Sequence, residues 1–332
     1  MTSRSGKDQL LPDISDIISG RCSEPSTIAT TGEVSHSMTP KSKEQSAAAP
    51  ASAADNGFSL ISNEKLHGLY AAMLKCRMLV EGSRAFIRQS KVSGKNSAVA
   101  GREAATVGVA IDLHPEDSIV PLTGDPIRYV IHSLPLEALF ARLFQPAVPW
   151  PGTAARLKAA IDVAVANKIN KIRNISVVFS TNGLNSLGPW HEALRFAGVH
   201  GLPMIFVSWD TSLPEPPISD SQVKAKGAGL KTKACGFPAI TVDGNDAVAV
   251  YRVAHEAIAH ARMGDGPSLI ECQSDSPGDP IQNMERYLAG KGLFTEGFKA
   301  EVTDRFRREM DAAIESAQSS PTLKPSTQLA GY

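Results

Sequence analysis

The stretch from Asn174 to Thr211 constrains this chain most. Ile175-Ser176-Val177-Val178-Phe179 and Met204-Ile205-Phe206-Val207 are runs rich in β-branched and aromatic residues, with no polar alternation. Such runs predict strands covered on both faces, as in a parallel sheet. Between them lie a polar Thr181–Gly188 loop and a helix over Trp190–Ala197. Pro189 stands where a helix can begin, because the N–H it lacks would be unpaired there anyway. Gly201 and Pro203 close the turn into the second strand. The unit reads as βαβ, within an α/β fold of a mainly parallel sheet with helices on both faces. In open sheets of this kind ligands bind beyond the carboxyl ends of the strands. The loops after Phe179 and Val207 are therefore the candidate site.

The rest of the 332 residues bounds the reading. Formal net charge is zero and no long basic run occurs, so nucleic acid and an anionic membrane are not expected as main partners. No run of eighteen apolar residues exists, so no membrane span is expected. The N-terminus lacks the apolar core of a signal peptide. Cys22, Cys76, Cys235 and Cys272 are far apart, which fits reduced thiols and a cytoplasmic location. Residues 1–57 are rich in Ser, Thr, Ala and Pro and predict a disordered low-complexity tail, with one apolar island from Leu10 to Ile18. Residues 58–320 are expected to form a single domain.

Within that domain Ser62 or Asn63 can cap a long helix running to about Lys91, with Leu66, Leu69, Tyr70 and Met73 on one face. Asp117 to Leu122 reads as a strand and Pro135 to Phe140 as a short helix. Thr153 is expected to cap a helix from Ala154 to about Lys168. Past Thr211 come a helix over Ser219–Ala234, a strand over Phe237–Val242, a helix to about Met263 and a strand from Ser268. The last helix carries Phe298, Val302, Phe306, Met310 and Ile314 at i, i+4 spacing.

His191-Glu192-Ala193-Leu194, Ile205-Phe206-Val207 and Gly101-Arg102-Glu103-Ala104-Ala105 together give the chain a specific resemblance over roughly Phe58 to Gln318. It resembles the alpha subunit of the 2-oxo acid (pyruvate and branched-chain) dehydrogenase decarboxylating component, a thiamine-diphosphate-dependent family. The resemblance implies the thiamine-diphosphate-binding fold and assembly with a beta-type subunit or by self-association. It also implies cofactor positions at a Gly-Asp-Gly loop and an Asn-Asn turn, which hold Mg²⁺ on the diphosphate. Gly-Asp-Gly falls here on Thr181-Asn182-Gly183, and the metal-binding Asn falls on Thr211. Both implied metal ligands are therefore changed, though Asp210 beside Thr211 offers a carboxylate. The family's Tyr-Arg pair, which contacts the cofactor phosphate, falls on Thr123-Gly124. Arg128-Tyr129 follows in reversed order, at a spacing that aims it elsewhere.

Mg²⁺ wants oxygen ligands in near-octahedral geometry, and Asn182 and Thr211 supply less charge than the implied set. The expectation is that no cofactor is bound, no catalytic residue or metal ligand is assigned, and the chain acts as a structural or regulatory subunit. One alternative is an active decarboxylating subunit that holds thiamine diphosphate and Mg²⁺ through remodelled contacts. Another is a binding module for a different small ligand in the vacated cleft. His191 is expected in a core or supporting role. His255 and His260 point about 140° apart on a helix and cannot share a metal. His132 is the one histidine singled out for chemistry, on its expected place near the end of the cofactor loop.

Overall fold

A computed structural model describes residues 61–90, 100–122, 124–144, 152–181, 188–209, 236–273 and 278–319. The first helix, α1 (Asn63–Ser90), begins where Ser62 Oγ accepts the Lys65 N–H at 3.2 Å. Its buried stripe is Leu66, Leu69, Tyr70 and Met73, as the spacing predicts. Next come α2 (Glu103–Ala110), β1 (Ser118–Val120), α3 (Ile127–Ile131) and α4 (Leu136–Phe144). α5 (Thr153–Ile169) leads into the βαβ unit of β2 (Ser176–Thr181), α6 (Gly188–His200) and β3 (Met204–Trp209). The chain then continues through β4 (Ala239–Asp243), α7 (Ala247–Met263), β5 (Ser268–Gln273), α8 (Pro280–Gly290) and α9 (Glu296–Ser319).

All five strands pair in parallel, in the order β1-β2-β3-β5-β4. The register Val177↔Ile205 and Val178↔Phe206 sends alternate side chains to opposite faces. Val177, Phe179, Ile205 and Val207 join the core formed with α1, α2 and α7. Val178, Met204 and Phe206 join a second core with Leu157 and Ala160 of α5 and Trp190 and Leu194 of α6. Helices thus cover both faces. α6 crosses from β2 to β3, while α7 crosses back from β4 to β5 on the opposite face. Right-handed crossovers in opposite directions require this arrangement. The winding therefore reverses between β3 and β5.

Three local expectations change. β1 is shorter than its apolar run because Pro121, the next residue, has no N–H to continue the ladder. Thr153 is the first residue of α5 rather than its cap: Gly152 holds that position, with no side-chain cap. The strand expected from Phe237 begins at Ala239, after Pro238. Two aspartates cap helices. Asp246 accepts from the Val248 and Ala249 N–H groups at 2.9 and 3.0 Å. Asp279 accepts from Ile281 at 2.8 Å. The helix expected over Ser219–Ala234 and the tail over residues 1–57 lie outside the described residues. Among the described residues no helix is long and apolar enough to cross a membrane.

Candidate functional site

The carboxyl edge of the sheet is where α1, α2, α3 and α8 bring charge together. Glu103, buried at the start of α2, accepts from Arg77 Nε at 2.6 Å and Nη2 at 2.9 Å, a two-pronged pair. The same carboxylate takes the Gly101 N–H at 2.9 Å. Arg77 Nη1 reaches across to Asp279 Oδ2 at 2.7 Å, tying α1 to the cap of α8. The hydrogen bond to Glu103, aided by that to Asp279, raises the Arg77 pKa despite burial. Burial alone would raise Asp279, but Arg77 outweighs it and holds this carboxyl below its ordinary value.

Beside this network the chain leaves β1 through Gly124, whose φ is +80°. Asp125 follows, and its Oδ1 accepts the Ile127 N–H at 2.9 Å. Burial, reinforced by the charge of Glu103, pushes the Asp125 carboxyl up to about 6, while Arg102 acts in the other direction. The Arg102 guanidinium is itself lowered by burial, which the charge of Asp125 opposes. Cys76 lies under this group, buried and free, its thiol raised by burial and by Asp125 and Glu103. Cys272 is likewise a buried, free thiol.

The end of β3 is closed by an aromatic ring. Trp209 is buried, and a Cβ placed on Gly244 would come 2.4 Å from its ring and 2.9 Å from Cys272. The indole occupies a notch that only glycine leaves open. On the other face a narrow crevice at the ends of β1 and β2 is lined by Thr153, Arg156, Ser180 and Trp190 among others. Burial lowers the Arg156 pKa there.

The four candidate positions, Asn182, Gly183, Asp210 and Thr211, lie outside the described residues. Thr123 does as well, while its partner in the implied Tyr-Arg pair is Gly124. His132 is not at this edge. Its ring hydrogen-bonds to the backbone of His114 and faces Asp117 and Glu116, in the turn that precedes β1. α3 carries it away from the carboxyl end, so the expectation of a place beside the cofactor loop is corrected. Burial and then Arg128 lower its pKa. His191 is half-buried on α6, and His255 Nδ1 pairs with Asp112 at 2.9 Å. Among the described residues no group of three His, Cys, Asp or Glu side chains is placed to hold a metal. Their carboxylates at this edge are bound to Arg77 or sit on a glycine turn. The network of Arg77, Glu103 and Asp279 was not foreseen from the sequence. Its one signal is a glutamate opening an otherwise apolar helix.

The profile of the family described as "Dehydrogenase E1 component" matches residues 151–275. The pyruvate dehydrogenase E1 component subunit alpha of Staphylococcus aureus is 29% identical over 293 residues, covering 77% of this chain and 79% of that protein. The alpha subunit of acetoin:2,6-dichlorophenolindophenol oxidoreductase from Bacillus subtilis is 30% identical over 235 residues, covering 64% of this chain and 71% of its own. The chain belongs to the dehydrogenase E1 component family. It is an alpha-type member, and both relatives are named as alpha subunits. The matched region 151–275 holds the βαβ unit, both candidate loops and α7. As a family member the chain keeps the sheet that positions the site. The departures from the implied cofactor motif fall at the last residue of β2, Thr181, and on the segments that follow the strands.

Proposed function

We propose that this chain is an alpha-type subunit of a 2-oxo acid dehydrogenase decarboxylating component that does not itself grip a magnesium-bound diphosphate. In this reading it is a structural or regulatory partner of a beta-type subunit, formed by one folded domain over residues 58–320, in the cytoplasm. The observation that carries the reading is the turn after β1. Gly124 at φ +80° and Asp125 stand where the resemblance calls for Tyr-Arg and its neighbour. A left-handed backbone disfavours an arginine at that position. Losing hydrogen bonds to a charged group costs about 1.5–3 kcal/mol, or roughly ten- to a hundredfold in affinity. Replacing the implied metal carboxylate by Asn182, and the implied Asn by Thr211, adds to that loss.

The test is scanning calorimetry of the full chain with thiamine diphosphate and Mg²⁺, alone and with the beta-type subunit encoded beside it. The expected result is an unchanged melting temperature for the chain alone at millimolar cofactor. A ligand at a hundred times its dissociation constant stabilises by about 2.7 kcal/mol, so a clear upward shift overturns the proposal. The second reading, an active subunit with remodelled contacts, is favoured by the 29% identity to a pyruvate dehydrogenase alpha subunit across 77% of the chain. Asp210 would then supply the metal carboxylate, and Asp210→Ala would abolish the calorimetric shift.

A further inference from the structure

The narrow crevice at the carboxyl ends of β1 and β2 lies between α5 and α6, on the face of the second core. Val120, Leu157 and Val178 form its apolar wall, and Arg156 and Trp190 bring nitrogen into it. Trp190 is fully buried in the first turn of α6, edge-on to Phe206 with ring centroids 5.4 Å apart. An indole N–H can only donate, and a buried donor left without an acceptor is costly. Trp190 Nε1 has no hydrogen-bond partner among the described residues, and the crevice is open space that borders its ring. Arg156, half-buried in the first turn of α5, is likewise a donor only. Burial lowers its pKa, so water supports its charge less than at the surface, and an anion in contact would restore that support. α5 is 17 residues long, and Gly152 at its cap position gives it no side-chain cap. Its N-terminus therefore adds partial positive charge at the same place. Ser180 is the exception in the wall, because its hydroxyl donates to the Val207 carbonyl at 3.3 Å. Among the described residues no carboxylate lines the crevice.

We propose that this crevice binds a single monatomic anion, chloride being the common one, held by Arg156, the Trp190 indole N–H and the N-terminus of α5. Size and polarity select that ligand. The space admits about one water-sized body, so phosphate, sulfate or an organic acid does not enter whole. A hard cation needs oxygen ligands and would face a guanidinium instead. A water molecule could accept from the indole, but it would not offset the partly buried charge of Arg156. A chloride ion does both, and its apolar surroundings strengthen each contact. Bound there, it joins the first turns of α5 and α6 to the end of β2. It thereby fixes the strand end from which the first candidate loop departs, and makes the stability of this scaffold respond to chloride.

Scanning calorimetry of the full chain is the test, with sodium chloride replacing sodium gluconate at constant ionic strength and no thiamine diphosphate present. The expected result is a melting temperature that rises with chloride and saturates below about 0.15 M, the physiological ionic strength. Bromide should act as chloride does, and sulfate should not. Trp190→Phe removes the N–H and keeps an aromatic ring, while Arg156→Gln removes the charge. Each is expected to raise the chloride concentration at half effect about tenfold or more, whatever it does to the baseline melting temperature. Crystals of the parent chain soaked in bromide should show anomalous density in the crevice, which decides the matter even where a variant fails to fold. A melting temperature indifferent to halide overturns the proposal, and the crevice then holds water. A response that both variants keep, or that sulfate reproduces, is a general salt effect and overturns it as well. So does an adventitious ion only, with bromide on surface cations or in the crevice without any response in solution. The inference does not rest on the cofactor reading, and the halide and cofactor titrations fail separately.

Discussion

Two aspartates flank the three-residue strand β1, and they live in different surroundings. Asp117, before the strand, is buried with both oxygens in use. Oδ1 takes the Ile175 N–H at 2.9 Å and Arg262 Nη1 at 3.1 Å, while Oδ2 takes the His114 N–H at 2.7 Å and pairs with Arg262 Nη2. Asp125, after the strand, accepts the Ile127 N–H and forms no ion pair among the described residues, and burial pushes its carboxyl up to about 6. The first ties α7 to the starts of β1 and β2. The second stands at the edge that carries the candidate site, on a glycine turn. An incompletely partnered carboxyl at this edge and a saturated one at the other is the division expected if the amino edge serves the fold and the carboxyl edge was built for a ligand.

The largest effect that sharpens this contrast comes from Asp117→Ala. It leaves the Arg262 guanidinium without its carboxylate and two backbone donors without an acceptor. The expected loss is about 3–5 kcal/mol in urea unfolding, the usual cost of breaking a buried pair. Arg262→Ala should be strongly non-additive with it in a double-mutant cycle. A loss under about 1 kcal/mol would break the claim that Asp117 organises the amino edge. Arg77→Ala is the matching test at the other edge. It leaves Glu103 buried without its cation, but Asp279 is partly exposed and keeps its backbone bonds, so about 2–3 kcal/mol is expected.

These pairs also show where sequence stops being legible. The strands could be read because parallel strands buried on both faces must be apolar throughout, and Val177 to Phe179 and Ile205 to Val207 are. The cap at Ser62 could be read because a cap is a local contact, spanning two or three residues. Arg77 could not be read, because its partners are 26 and 202 residues away and nothing local distinguishes it from any polar residue on a long helix. The insertion of β5 between β3 and β4 is likewise a long-range fact with no periodic trace. His132 was misplaced because a five-residue helix reverses the chain direction, which spacing alone does not reveal. Of the candidate site, the scaffold was legible. The loops bearing Asn182, Gly183, Asp210 and Thr211 remain assigned by resemblance.

Gly124 gives a smaller, backbone-level test. A Cβ at φ +80° is strained wherever there is room for it, so Gly124→Ala is expected to cost about 1–2 kcal/mol. Gly124→Arg, which restores the guanidinium that the resemblance calls for, should cost as much and still give no thiamine-diphosphate shift in calorimetry. Cofactor binding by that variant would mean that the turn is compliant and that one side chain, not the backbone, separates this chain from the implied motif.

The smallest effect is the titration of Asp125. Its folded pKa, about 6, lies above the ordinary value of 3.8, so the folded state holds this proton more tightly than the unfolded one. Stability from this group is therefore fully present below about pH 4 and declines as pH rises toward 6, with no further change above. Asp125→Asn cannot titrate but keeps an oxygen for the Ile127 N–H, so it isolates the charge from the turn. The variant should match the parent near pH 4 and exceed it by about 1 kcal/mol at neutral pH, a figure discounted because the carboxyl is partly solvated. Arg102, Glu103 and Cys76 surround the carboxyl. Arg102 keeps its charge over this range, and Cys76, raised by burial, stays a thiol. A difference independent of pH would show that the turn rather than the charge is responsible. Asp125 would then be as settled in its surroundings as Asp117.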